Sequence, residues 1–197
     1  MKHNHHSKPT AAGKSSFGLI DSQAFFRELD LKKSITFLDL ACGRGAYCLK
    51  AAEVIGPGGT LYAVDLWQEG IEQLKANARA ENLSNIEAFV SDAGQHIPVD
   101  DKIVDVCLLA TVLHDFVEDQ IATEVLQEVV RVLKPGGMLA VVEFKKIDGP
   151  PGPPRHIRLA PSAVEEMLAP YGFSKDRLTD IGPYNYLMMF RSNQFLD

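Results

Sequence analysis

Three aspartates stand where apolar, strand-like runs give way to helical stretches: Asp39 in TFLDLACGRG, Asp65 in TLYAVD and Asp92 in IEAFVSD. A carboxylate at such a point can accept hydrogen bonds from ribose hydroxyls, an amino group or an ammonium. One alone reads as a helix cap or a solvated turn; three in step with successive strands point to a shared ligand. Gly43 and Gly45 lie between the first strand and its helix, and Asp65 follows Gly45 by 20 residues, the spacing at which a second-strand acid reaches a ribose. His114, in LHDF, and His156, in PPGPPRHIRLAP, are the candidates for moving a proton near neutral pH. Arg155 and Arg158 flank His156 and suit either an anionic acceptor or solvated salt bridges.

The elements that must hold these residues alternate from residue 35 onward. ITFLDLA (35–41), TLYAVD (60–65), IEAFVSD (86–92) and VDVCLLA (104–110) are apolar throughout rather than on every second residue, as in a sheet covered on both faces. Between them run amphipathic stretches: Cys48, Ala51, Ala52 and Ile55 form one stripe, and Trp67, Ile71, Leu74 and Ala78 another. A further helix carries Ile121, Val125, Val129 and Leu133 and stops at KPGG, before the strand MLAVVEF. After a helix at about 161–171, DRLTDIG and YNYLMMFRS are joined by GPY, too short for a crossover helix, so these two are antiparallel. The fold class is therefore α/β: a Rossmann-like, doubly wound sheet, mostly parallel, with an antiparallel C-terminal strand. In such sheets a ligand lies outside the carboxyl ends of the strands. That rule selects the three aspartates and two glycines named above, together with Ala41, Leu66, Ala93 and Ala110.

The 197 residues carry a formal charge of −6, which offers no basic field for phosphates and argues against nucleic acid as a partner. Three scattered cysteines, Cys42, Cys48 and Cys107, fit reduced thiols in a cytoplasm, and no apolar run of about 18 residues suggests a membrane span. Residues 1–34 read as a mobile N-terminus, plain through residue 16, followed by a short cap helix over DSQAFFRELDL; residues 35–197 form the single main domain. His3, His5 and His6 are read as part of a His-rich terminus, so no metal site is expected.

The glycine turn and the Asp65 spacing suit either a nicotinamide cofactor or an adenosylmethionine. A pyrophosphate site needs a third glycine, where this chain has Cys48, and Asp39 beside the turn would repel the phosphates. An aminoacyl group with a free ammonium would be attracted by that acid.

Taken together, FLDLACGRG, LYAVD, VSDA, DVCLLATVLHDF and LKPGGMLAVVEF resemble the class I S-adenosylmethionine-dependent methyltransferases, in particular the small group similar to ubiquinone and menaquinone biosynthesis C-methyltransferases. The resemblance runs from about residue 35 to the C-terminus. It implies a seven-stranded sheet, S-adenosyl-L-methionine as methyl donor and S-adenosyl-L-homocysteine as product. It further implies that Asp39, Ala41, Gly43 and Gly45 hold the methionine part, that Asp65 binds the ribose and Leu66 packs on the adenine, that Asp92 and Ala93 meet the adenine edge, and that Ala110 lies near the sulfonium. Ala41 departs from the family's usual glycine.

A general base is useful where the acceptor must lose a proton, and the region of His114 in the family faces donor and acceptor; His156, with Arg155 and Arg158, lies where the family builds acceptor pockets. The expected protein is a cytoplasmic methyltransferase, monomer or homodimer, acting on a small-molecule acceptor. A non-catalytic adenosylmethionine-binding protein and a nicotinamide-dependent oxidoreductase are the alternatives.

Overall fold

In a computed structural model, residues 13–194 are described. Seven strands form: β1 (Thr36–Leu40), β2 (Thr60–Asp65), β3 (Ile86–Val90), β4 (Val104–Ala110), β5 (Leu133–Phe144), β6 (Phe173–Asp180) and β7 (Asn185–Ser192). They make one sheet in the order β3-β2-β1-β4-β5-β7-β6. β1 to β5 pair parallel with their neighbours, and β7 runs antiparallel to both β5 and β6. The reason is local: residues 181–184 between β6 and β7 allow a tight return and no crossover.

The central strands bury both faces, so their alternate residues enter two separate cores. Leu38, Leu40, Leu109, Leu139 and Val141 pack with α5 (Ala122–Val132) and α6 (Pro161–Leu168), joined by Leu113 and Phe116 of the short α4 (Leu113–Glu118). Phe37, Leu61, Ala63, Leu108 and Val142 pack with α1 (Ser22–Leu29), α2 (Ala46–Ile55) and α3 (Gln68–Ala80). Asp39 and Asp65 share the parity of Phe37 and Ala63 and so look toward α2. Glu143 shares the parity of Leu139 and Val141 and looks toward α4.

The cap helix forms as its sequence predicts, with the Asp21 carboxylate accepting the Ala24 N–H at 3.0 Å and Phe25 fully buried. One boundary differs. KPGG does not precede the strand but lies inside it as a bulge, because Val104 pairs with Leu133 while Val106 pairs with Met138, leaving residues 134–137 to loop out with Gly136 at φ 74°. β6, at the sheet edge, is exposed and carries Lys175, Asp176, Arg177 and Asp180, charges that discourage edge-to-edge pairing. Among the described residues no helix is long and apolar enough to cross a membrane.

Candidate functional site

Strand order reverses at β1, which has β2 on one side and β4 on the other, and a cavity of about 1820 Å³ opens above that point at the carboxyl ends. A pocket for one ligand measures roughly 300–1,000 Å³, so this one has room for a donor and an acceptor together. Asp39, Ala41, Gly43, Asp65, Leu66, Asp92, Ala93 and Ala110 all line it.

Gly45 does not. It caps α2 at φ 77°, and a Cβ there would come 2.3 Å from Leu74 Cδ1, so its missing side chain serves the packing of α2 against α3 rather than a ligand. Trp67 is likewise a packing residue, 7% exposed at the N-cap of α3 with the Arg44 guanidinium over its ring.

The loop after β1 alternates in hand, with Ala41 at φ 58°, Gly43 at 58° and Gly45 at 77°. Its N–H groups are spent inside the protein: Cys42 donates to the Val64 carbonyl, Gly43 to Asp65 Oδ2 at 2.7 Å and Gly45 to the Cys42 carbonyl. None of these three remains for a pyrophosphate, which separates this loop from a dinucleotide site. The left-handed φ at Ala41 explains the family's usual glycine there. It costs alanine about 1 kcal/mol or more, part of which a glycine would return as unfolded-state entropy. Ala41→Gly is therefore expected to raise Tm by roughly 1–2 °C, corresponding to a net gain of about 0.5 kcal/mol. A lower Tm in a thermal melt would contradict the strain.

Asp65 is fixed at both ends: Trp67 N–H donates to Oδ1 at 2.7 Å and Gly43 N–H to Oδ2 at 2.7 Å. A carboxylate has about four lone-pair sites, so acceptor capacity remains beyond these two bonds. Burial pushes its carboxyl up, against the three backbone N–H groups of Trp67, Gly43 and Leu66. Beside it Leu66 is 45% exposed, a large apolar side chain offered to the cavity. Asp92 accepts the Gly94 N–H at 2.9 Å and the Gln95 amide at 2.8 Å.

Asp39 is 1% exposed, and the Cys48 thiol donates to it at 2.9 Å. Burial, opposed by that thiol and reinforced by the charge of Asp65, pushes its carboxyl up to about 7. Unfolded, the group ionises near its ordinary 3.8, so the folded chain holds the extra proton between these values. The stability this gives is present below about pH 4 and lost as pH rises toward 7. At about 1.4 kcal/mol per pH unit the loss is roughly 4 kcal/mol. Asp39→Asn is expected to melt above the parent at pH 8, with the gap closing as pH falls to 4. Melting below the parent at pH 8 would show that the carboxylate is favourably held without ligand.

The candidate bases and arginines divide sharply. His114, at the start of α4, is 4% exposed yet lines the cavity, and its Nδ1 lies 3.0 and 2.8 Å from the two oxygens of Glu143. His156 and Arg155 are exposed and do not line the cavity; Arg155 Nε donates to the Lys146 carbonyl at 3.2 Å.

Arg158, expected to meet an acceptor, is 1% exposed and has no donor left. Its Nε donates to Pro153 O, Nη1 to Lys145 O and Ile147 O, and Nη2 to Gly149 O and Pro151 O, at 2.6–3.1 Å. These five bonds exhaust a guanidinium's five N–H groups. Arg158 thus moulds the proline-rich loop, while Pro151, Gly152, Pro153, Pro154 and Ile157 of that loop form the cavity wall next to Phe144.

Residues 13–16 do not stand off as a plain terminus. Ser16 is 3% exposed and bonded to Tyr47 Oη at 2.9 Å and Thr111 Oγ1 at 3.1 Å, which draws the segment over the cavity. No sequence signal marked it. Glu143 did carry one, as the lone acid in LAVVEF. His3, His5 and His6 lie outside the described residues. Among the described residues no group of three or more His, Cys, Asp or Glu side chains is arranged to hold a metal ion.

A 3-2-1-4-5-7-6 sheet with one antiparallel strand, and a cavity over its switch point that gathers the three strand-end acids, defines a doubly wound ligand-binding α/β protein. The sequence profile of the methyltransferase domain matches residues 31–174, and the chain belongs to that family. It is similar to a demethylmenaquinone methyltransferase of Lactobacillus johnsonii, 29% identical over 126 residues that cover 64% of this chain and 50% of the relative. An arsenite methyltransferase of Halobacterium salinarum is 35% identical over 106 residues, covering 54% of this chain and 26% of that one. The chain thus spans half or less of the length of these relatives. Its structure is similar to that of a SAM dependent methyltransferase from Aquifex aeolicus, with a TM-score of 0.82, 26% identity, and 97% and 100% of the two chains covered.

Proposed function

We propose that this protein is an S-adenosylmethionine-dependent methyltransferase acting on a small-molecule acceptor. The observation that carries this reading is Asp65: a carboxylate at the end of β2, locked by two backbone N–H groups, with lone pairs left for the two hydroxyls of a ribose and an exposed leucine beside it for the adenine. The full-length similarity to the Aquifex aeolicus protein supports the same donor.

In this reading Asp39 and the Ala41 and Gly43 backbone receive the methionine end, Asp92 and Ala93 the adenine edge, and Ala110 lies near the sulfur. When bound, the donor supplies a methyl group on a sulfonium, activated before the protein acts. The protein's own task is to align an acceptor and exclude water. An ammonium next to Asp39 would favour its ionised form, so donor binding above the switch point releases a proton near neutral pH.

The acceptor side is apolar, with Phe144 and the prolines of the moulded loop, and suits the flat face of a small ring compound. Relatives named as demethylmenaquinone and 2-phytyl-1,4-naphtoquinone methyltransferases support a ring acceptor. One chain builds the whole cavity, so a monomer or a homodimer would serve equally, and three free cysteines suit the reducing cytoplasm.

The test is calorimetric titration with S-adenosylmethionine, S-adenosylhomocysteine and reduced nicotinamide cofactors in parallel, followed by transfer of a labelled methyl group to a panel of small ring compounds. Binding of the two sulfur compounds alone, with transfer, is the expected result. Binding of nicotinamide, or of nothing, would overturn the donor; binding without transfer to any acceptor would favour a non-catalytic adenosylmethionine-binding protein.

A further inference from the structure

Glu143 is fully buried in β5 between Val142 and Phe144, a position where an apolar residue would cost nothing. A carboxylate there loses its hydration and has to be compensated. Among the described residues no lysine or arginine pairs with it. Its oxygens accept the backbone N–H groups of His114 at 3.1 Å and Phe144 at 3.2 Å, and both lie within 3.0 Å of His114 Nδ1. The imidazole edge is packed near Phe144, with ring centroids 6.2 Å apart.

We propose that Glu143 is a positioning residue for His114, and that His114 Nε2 takes the proton from the acceptor atom that becomes methylated. This rests on reading the cavity as a site of methyl transfer. Because Nδ1 must donate to Glu143, a neutral His114 carries its hydrogen on Nδ1 and leaves Nε2 as the lone-pair nitrogen. The Glu143 contact holds Nδ1 against β5, and His114 is among the residues that line the cavity.

The groups facing His114 are Glu143 from β5, with Asp115 and Glu118 from its own helix; Lys14 of the N-terminal segment faces Asp115 in turn. Asp115 Oδ1 lies 3.5 Å from Nε2, longer than a hydrogen bond. Burial lowers the basicity of His114, but the bond and charge of Glu143, joined by Asp115 and Glu118, outweigh it and raise the imidazole above its ordinary 6.5.

The acceptor class follows. Its reacting atom carries an exchangeable proton, as in a phenol, an enol or an acidic C–H, rather than a lone pair that needs no base. The proton moves from that atom to Nε2, leaving its electron pair on the acceptor. That pair takes the methyl group as the carbon–sulfur bond pair stays with sulfur. The imidazolium then remains bonded to Glu143 until it returns the proton to water.

Glu143→Gln keeps the shape and removes the charge. In the ligand-free protein, ¹⁵N-histidine NMR should show the His114 pKa lower by at least one unit. Donor affinity by calorimetry should stay within about twofold while kcat at pH 7 falls by about ten- to a hundredfold, within the reach of a positioned base. The acidic limb of the kcat/KM profile, which reports the free enzyme, should move with the NMR pKa. His114→Gln should lose about a hundredfold or more, and the double variant no more than that.

Parent-like kcat or an unmoved His114 pKa in a Glu143→Gln variant that binds donor would overturn the pair. A parent chain that binds no donor would overturn the methyltransferase reading and the proposal with it. If Glu143→Gln does not fold, His114→Gln decides: full kcat with donor bound overturns the proposal, and a hundredfold loss with unchanged donor affinity supports it.

Discussion

Asp65→Ala should weaken binding of S-adenosylmethionine by at least about tenfold. Each charge-assisted bond to a ribose hydroxyl is worth roughly 1.5–3 kcal/mol, and about 1.4 kcal/mol is already a factor of ten. The loss extends beyond the ligand, because Gly43 and Trp67 N–H groups each lose their 2.7 Å acceptor and the loop after β1 is no longer tied to β2. Asp65→Asn separates the two effects. Its amide offers one carbonyl oxygen and one donor group, so it can serve one of those N–H groups but opposes the other, and its affinity should fall between parent and Asp65→Ala. Calorimetric dissociation constants, with circular dichroism to confirm folding, make the measurement. An unchanged constant in folded Asp65→Ala would remove Asp65 from the ribose.

Arg158→Ala should be strongly destabilising, costing about 3 kcal/mol or more and lowering Tm by roughly 6–12 °C. Five carbonyls, from every second residue between Lys145 and Pro153, lose charged donors at once, and rehydration of the loop recovers only part of that. The Phe144 ring also loses the guanidinium 5.6 Å from its centroid. Arg158→Lys should fall between, since an ammonium's three donors can satisfy at most three of the five acceptors. Acceptor affinity should weaken with stability, because this loop is the cavity wall, while donor affinity holds. Thermal melts and two titrations check it. A near-parent Tm for Arg158→Ala would mean that water replaces the guanidinium without loss.

These two residues mark the range of what was legible. The place of Asp65 was legible because strand ends, helix starts and spacing are local properties, and the sheet turns a 20-residue interval into a fixed place beside the β1 loop. Arg158 was found as a residue and misread as a contact. In sequence it stands next to His156 among prolines, which reads as an exposed basic cluster; only the folding back of residues 145–153 shows that its five donors are consumed. His114 and His156 looked equivalent for the same reason. One is placed against Glu143 and the cavity, the other on the outer surface, and nothing within either motif distinguishes them. Gly45 shows the reverse case. Its spacing suits a ligand loop, but the fold sets it outside the cavity lining, at φ 77° and against Leu74, 29 positions further along the chain.

By itself the sequence determined the α/β class, the parallel sheet with its antiparallel finish, the switch point and the set of acids that meet there. Each follows from apolar periodicity, connection length and the chirality of strand–helix–strand units, which act over one or two elements. The tertiary structure alone decided which polar groups remain free to act. Hydrogen bonds between distant segments, Glu143 with His114, Ser16 with Tyr47 and Thr111, and Arg158 with its own loop, consume some groups and orient others. A donor already satisfied inside the protein has nothing to offer a ligand, and that accounting closes only when the whole chain is folded.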